Sequence, residues 1–138
     1  MRVVLDTNIL LSSLKRGGRN RSIFDGLREG RFALLVSTEI LLEYTEIISQ
    51  QTTPEIGYNV TQLLVNLART ERMNVSYRFN LITVDPDDNK FVDVAIAGGA
   101  ELLVTNDRHF GELQQVDWPR VRVVDDATFI NLLNRLAG

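Results

Sequence analysis

The chain alternates between short apolar runs and longer stretches whose apolar residues recur every three or four positions. "RVVL" (2–5), "FALLVS" (32–37), "FNLITV" (79–84), "ELLVT" (101–105) and "RVRVV" (120–124) have strand length and strand composition. "RVVL" lacks polar alternation, which predicts burial on both faces. Helical spacing appears in "SIFDGLREG" (22–30), where Ile23, Phe24 and Leu27 share a face and Gly30 is a stop. It recurs in "STEILLEYTEIISQ" (37–50), with Ser37 or Thr38 as cap, and in "NVTQLLVNLARTE" (59–71). "DPDDNKFVDVAIAGGA" (85–100) begins with Asp85 as N-cap and Pro86 at the first helical position. "DATFINLLNRLA" (126–137) predicts a closing helix.

Strands alternating with helices predict an α/β fold. The expected form is a three-layer α/β/α sandwich with a central, mainly parallel sheet of about five strands. Repeats, low-complexity tracts and linkers are absent, so residues 1–138 are expected to form a single domain. Ligands of such sheets sit beyond the carboxyl ends of the strands.

Composition narrows the chemistry. The 138 residues are 44% hydrophobic and 24% charged, as in an ordinary globular domain. There is no cysteine, which removes disulfides and thiolate metal sites. One histidine, His109, argues against a multi-histidine zinc centre. The strand-like opening gives no signal-peptide pattern, and no apolar stretch approaches the roughly 18 residues of a membrane helix. A cytoplasmic location without membrane contact is therefore expected. The net charge of −3 gives no bulk basicity, so any nucleic-acid contact must come from a local patch.

The strand ends carry the candidate chemistry. Asp6 follows the first run, Asp85, Asp87 and Asp88 follow "FNLITV", and Asp107 follows "ELLVT" after Asn106. Singly, each has a structural explanation: Asp6 and Asp107 as helix caps, Asp88 as part of a capping arrangement begun by Asp85. Capping does not require them to converge. Helical phase separates the candidates. Asp88 lies three and four residues before Phe91 and Val92, on the apolar stripe, whereas Asp87 does not. Asp93 is about 140° further round and could flank the same pocket without sharing Asp88's face. Glu43 lies at the border of the buried side defined by Ile40, Leu41, Tyr44, Ile47 and Ile48. Its alternative reading is a boundary glutamate with a packed stem and a wet head.

Four carboxylates driven together either hold protons or need a cation. Oxygen ligands without cysteine select a hard divalent ion, Mg²⁺ or Mn²⁺. Metal-assisted phosphodiester cleavage fits such a cluster.

These residues resemble the PIN domain. "VVLDTNIL" is similar to that family's opening motif, and "VSTEILLEYTEII" resembles the second, with Glu43 in the acidic place. "DPDDNKFVDVAIAGGAELLVTNDRHF" resembles the third and fourth, with Asp88 as third acid and Asp107 in a "T-x-D-x-x-F" pattern. The branch it looks most like is the VapC-like toxins of type II toxin–antitoxin modules. The resemblance implies a Mg²⁺/Mn²⁺-dependent endoribonuclease, blocked by a cognate antitoxin and commonly a homodimer. Carried over, the acids are Asp6, Glu43, Asp88 and Asp107, with Asp93 as a further metal ligand that helical phase disfavours. Asn8 and Thr105 match positions that hydrogen-bond the carboxylates.

On this reading Asp6, Asp88 and Asp107 hold the ion and Glu43 orients or deprotonates the attacking water. RNA backbone contacts fall to "KRGGRNR", with Lys15, Arg16, Arg19 and Arg21, and to Arg108. The alternative for both is a solvated surface charge. Trp118 and Tyr44 read as core or interface. Two rivals are a non-catalytic PIN-like protein-binding scaffold and an aspartate-nucleophile phosphatase. The phosphatase needs a second aspartate where Asn8 stands.

Overall fold

The computed structural model describes residues 1–83, 85–117 and 119–137. Five parallel strands make one sheet: β1 (Arg2–Leu5), β2 (Ala33–Val36), β3 (Thr70–Arg72), β4 (Leu102–Val104) and β5 (Val123–Val124). Their order is β3-β2-β1-β4-β5. Successive strands step outward from β1 on one side, and β4 then pairs with β1's other edge. The crevice between β1 and β4 at their carboxyl ends is therefore a topological switch point.

Six α-helices are described: α1 (Thr7–Ser13), α2 (Arg21–Arg28), α3 (Thr38–Gln51), α4 (Pro54–Asn66), α5 (Asn89–Gly98) and α6 (Asp126–Ala137). Two 3-10 segments, Pro86–Asp88 and Arg108–Gln115, lie directly after the acidic stretches. Val3, Val4, Leu5 and every residue of β2 and β4 are buried, so helices cover both faces of the central strands, as the three-layer α/β/α expectation requires. Each such side chain contributes about 1.5–3 kcal/mol relative to exposure. Helix α5 lies against β1, β2 and β4. It can do so because a Cβ at Gly98 would collide with Leu35 on β2. Gly99, at φ +61°, then ends the helix in the left-handed conformation. α2 and α6 meet, with Phe32 and Phe129 edge to face at 5.1 Å between centroids. Ser37 caps α3 by accepting the Ile40 N–H at 3.2 Å, and Thr53 caps α4, where Pro54 starts the helix. No helix among the described residues is long and apolar enough to cross a membrane.

The sequence reading predicts no helix over Thr7–Ser13 and begins the last strand at 120 rather than Val123, but the largest departure is in one region. Residues 79–83 are not a strand, and Val84, the end of that expected run, lies outside the described residues. The third strand is instead Thr70–Arg72, inside the segment expected to finish a helix. That helix starts and ends five residues earlier than the apolar spacing of 59–71 indicated. The physical reason is visible in the hydrogen bonds of 79–83. Ile82 gives its N–H to Asn89 Oδ1 at 2.8 Å and accepts from Asn89 Nδ2 at 2.9 Å. A side-chain amide thus takes the place of a neighbouring strand. Phe79 N–H goes to Asp93 Oδ1 and Thr83 N–H to Glu112, while Asn80 sits at φ +53° and bends the chain. "TER" escapes notice because it is a half-exposed edge strand with no apolar residue. The helix expected from Asp85 opens with a 3-10 turn, which Asp85 caps by accepting the Asp87 N–H at 3.2 Å.

Candidate metal centre

Asp6 ends β1 and is 7% exposed. Its backbone carbonyl accepts from Ile9 and Leu10 to start α1, but its carboxylate makes no capping bond to that helix. The carboxylate is held by Thr105 at the end of β4, whose hydroxyl donates to Asp6 Oδ2 at 2.7 Å. The same hydroxyl oxygen accepts the Asp107 N–H at 3.0 Å. One threonine thus fixes the acids of two adjacent strands. Asp107 accepts the His109 N–H at 2.9 Å and caps the following 3-10 segment, so its structural role and its place in the cluster coexist.

Asp88 arrives from the far side, at the end of the Asp85-capped turn. His109 Nδ1 lies 3.4 Å from both Asp88 Oδ2 and Asp107 Oδ1, joining the third acid to the fourth. Among the described residues neither Asp88 Oδ2 nor His109 Nδ1 has a hydrogen-bond partner, although both atoms are buried. Ligand atoms of Asp85, Asp88 and His109 all lie within 4.8 Å of one another. Glu43 reaches the group from α3. The Thr7 hydroxyl donates to its Oε2, and Lys90 Nζ sits 2.7 Å from its Oε1. Thr105 and His109 therefore link Asp6, Asp107 and Asp88 at the switch point, while Thr7 and Lys90 tie Glu43 to the residues next to Asp6 and Asp88.

The electrostatics agree with crowding. Burial raises the Asp6 carboxyl above its usual value, opposed by the Thr105 and Thr7 bonds and reinforced by Asp107 and Glu43. Asp88 is pushed up to about 6, first by burial and then by the charges of Asp85, Asp107 and Asp6, with His109 opposing. A buried carboxylate oxygen that accepts no hydrogen bond among the described residues, with three aspartates and one imidazole around it, has the character of a cation ligand. The donors are oxygens with one imidazole beside them, so the residues present fit a hard divalent ion.

Asp93 does not join this cluster. It is 2% exposed, accepts the Phe79 N–H at 3.1 Å, and lines a separate cavity of about 190 Å³ with Glu39, Arg78 and Lys90. Asn8 is exposed beside Asp6 and lines a cavity of about 370 Å³ with Asp107 and Asp126. The basic loop is partly engaged by the protein itself. Arg19 pairs with the buried Asp126, and Arg21 bonds Asp25 and the Leu14 carbonyl. Arg16 and Arg108 are exposed. Tyr44 is core: fully buried, its hydroxyl donates to the Leu5 carbonyl at 2.5 Å. Trp118 lies outside the described residues.

Sequence reasoning passed over Lys90, Thr7, Asp85 and His109 as members of the site. Two spacings carried a signal. Lys90 stands three residues after Asp87, an ion-pair distance on a helical turn, and His109 stands two after Asp107, the reach of a capping turn.

The PIN domain family matches residues 2–109, and the chain belongs to that family. Three solved structures share the fold at low identity. VapBC2 from Rickettsia felis, bound to a DNA fragment from its promoter, is 20% identical over 91% of this chain and 98% of that chain, with a TM-score of 0.61. DNA-bound VapBC from Salmonella typhimurium is 19% identical over 91% and 98%, with a TM-score of 0.59. VapBC-1 from nontypeable Haemophilus influenzae is 16% identical over 92% and 99%, with a TM-score of 0.63. No curated protein sequence matches the chain.

Proposed function

We propose that this protein is a Mg²⁺- or Mn²⁺-dependent endoribonuclease and the toxin of a type II toxin–antitoxin pair. The observations that support the nuclease reading are that Thr105 bonds both Asp6 and Asp107, that His109 lies against both Asp107 and Asp88, and that Asp88 Oδ2 is buried with no hydrogen-bond partner among the described residues. Asp6, Asp88 and Asp107 are the residues that would hold the ion. A divalent ion there would polarise a phosphodiester and lower the pKa of a bound water.

The chain's own residues do the rest. Thr105 fixes the rotamer of Asp6 and the backbone of Asp107, so two ligands need no reorganisation. Glu43, clamped by Thr7 and Lys90, presents a fixed acceptor that orients the attacking water. The exposed Arg16 and Arg108 take RNA phosphates without reading sequence. The toxin assignment is supported by the shared fold with chains of three VapBC structures. A cognate antitoxin, homodimer assembly and a cytoplasmic location follow from that assignment.

The test is cleavage of labelled single-stranded RNA by the full chain. Cleavage requiring Mg²⁺ or Mn²⁺, stopped by chelation and by Asp6→Asn in a folded variant, supports the reading. Chelator-resistant cleavage, or full activity in Asp6→Asn, overturns it.

A further inference from the structure

Lys90 is placed unlike a surface lysine. It is the second residue of α5, and its side chain is 9% exposed. Its ammonium lies 2.7 Å from Glu43 Oε1 and 2.8 Å from Asp87 Oδ2, and donates to the Asp87 carbonyl at 3.0 Å. All three of its donors are thus satisfied, and the Phe91 ring lies 5.5 Å beyond.

Glu43 accepts one bond on each oxygen, from Lys90 on one and the Thr7 hydroxyl on the other, which leaves room for a water but puts an ammonium beside any second ion. Among the described residues Asp88 Oδ2 accepts no hydrogen bond, with His109 Nδ1 at 3.4 Å, and Thr105 alone donates a side-chain hydrogen bond to Asp6. The four acids therefore divide into two kinds. Asp6, Asp88 and Asp107 have only Thr105, the Thr7 backbone and the His109 imidazole and N–H beside their carboxylates among the contacts described, whereas Glu43 already holds an ammonium of the protein's own. A divalent ion on Glu43 Oε1 would have to displace the ammonium or sit against it.

We propose that Lys90 is the internal counter-ion of the Glu43 corner, so that this centre takes one divalent ion, on Asp6, Asp88 and Asp107, and excludes a second. The inference rests on the metal-centre reading above and specifies it. Lys90 is a positioning residue: it acts through Glu43, setting that carboxylate's orientation and denying it to metal.

The experiment counts Mn²⁺ bound per full-length chain, by calorimetric titration and by electron paramagnetic resonance of free ion. The proteins are wild type, Lys90→Arg, Lys90→Met, and Lys90→Met combined with Glu43→Gln. One ion is expected in wild type and Lys90→Arg, two in Lys90→Met, and one again in the double variant. A lysine with a purely structural role would leave the count unchanged in folded protein. Two ions in wild type, or one in folded Lys90→Met, overturns the proposal. A single Glu43→Gln variant decides the matter should Lys90→Met not fold. Its Mn²⁺ affinity is expected to stay near wild type, and a loss of about 10-fold or more, the size seen when an orienting partner is removed, overturns the proposal. Absence of any Mn²⁺ binding in wild type is a different result, which removes the metal-centre reading itself.

Discussion

Two aspartates stand close together in the α5 region, one at its mouth and one in its body, and their surroundings differ completely. Asp93 is the more buried, yet its oxygen receives the Phe79 N–H and the positive Arg78 lies nearby. Asp88 is 14% exposed but has an oxygen with no donor and three other aspartates pressing on it. Depth of burial alone would favour Asp93, whereas hydrogen-bond satisfaction favours Asp88. An unsatisfied lone pair facing like charge is what marks a place for a cation, whereas a satisfied buried carboxylate is a fold element.

The contrast can be broken by mutation. The largest effect is expected from Asp88→Asn, which should reduce RNA cleavage by roughly 10³-fold, the scale of losing a group that stabilises developing charge. Asp93→Asn should leave cleavage near wild type in the same assay. Equal losses in the two would erase the distinction. Thr105→Val comes next. It severs the link between Asp6 and Asp107 and should weaken Mn²⁺ binding by about 10–100-fold, measured by titration.

Stability sharpens the comparison from the other side. Asp93→Ala leaves the Phe79 N–H without its acceptor and should cost about 1–3 kcal/mol in urea unfolding. Asp88 should behave in the opposite sense. Its carboxyl is raised to about 6, so the fold favours the protonated form. That contribution is full below the ordinary value of 3.8 and is lost as pH rises through about 6. Without ions, Asp88→Asn should therefore stabilise the chain by about 1 kcal/mol at pH 8, after allowing for solvent screening, and by almost nothing at pH 4.

The sequence made the β1 and β4 corners of the site legible because their signals are local. A wholly apolar run that stops at an aspartate can be read without coordinates, and "VVLDTN" and "LLVTND" are both of that kind. Helical phase placed Asp88 inward, Asp87 outward and Glu43 at the border, and the structure has Asp88 half-buried, Asp87 exposed and Glu43 intermediate. The stretch from 70 to 84 was misread because its order comes from distant side chains. Asn89, Asp93 and Glu112 supply the backbone partners of 79–83, and no local pattern encodes them. Lys90 and His109 were passed over for a related reason. Their spacings to Asp87 and Asp107 are local, but what completes their role faces them across the cleft, Glu43 from α3 and Asp88 from the 3-10 turn before α5.

The central claim is tested most directly by growing crystals in Mn²⁺ and measuring anomalous scattering at the manganese edge. The account predicts a peak within coordination distance of Asp6, Asp88 and Asp107 and none at Asp93. A cleft with no peak at saturating Mn²⁺, or a peak on Asp93 instead, would contradict it.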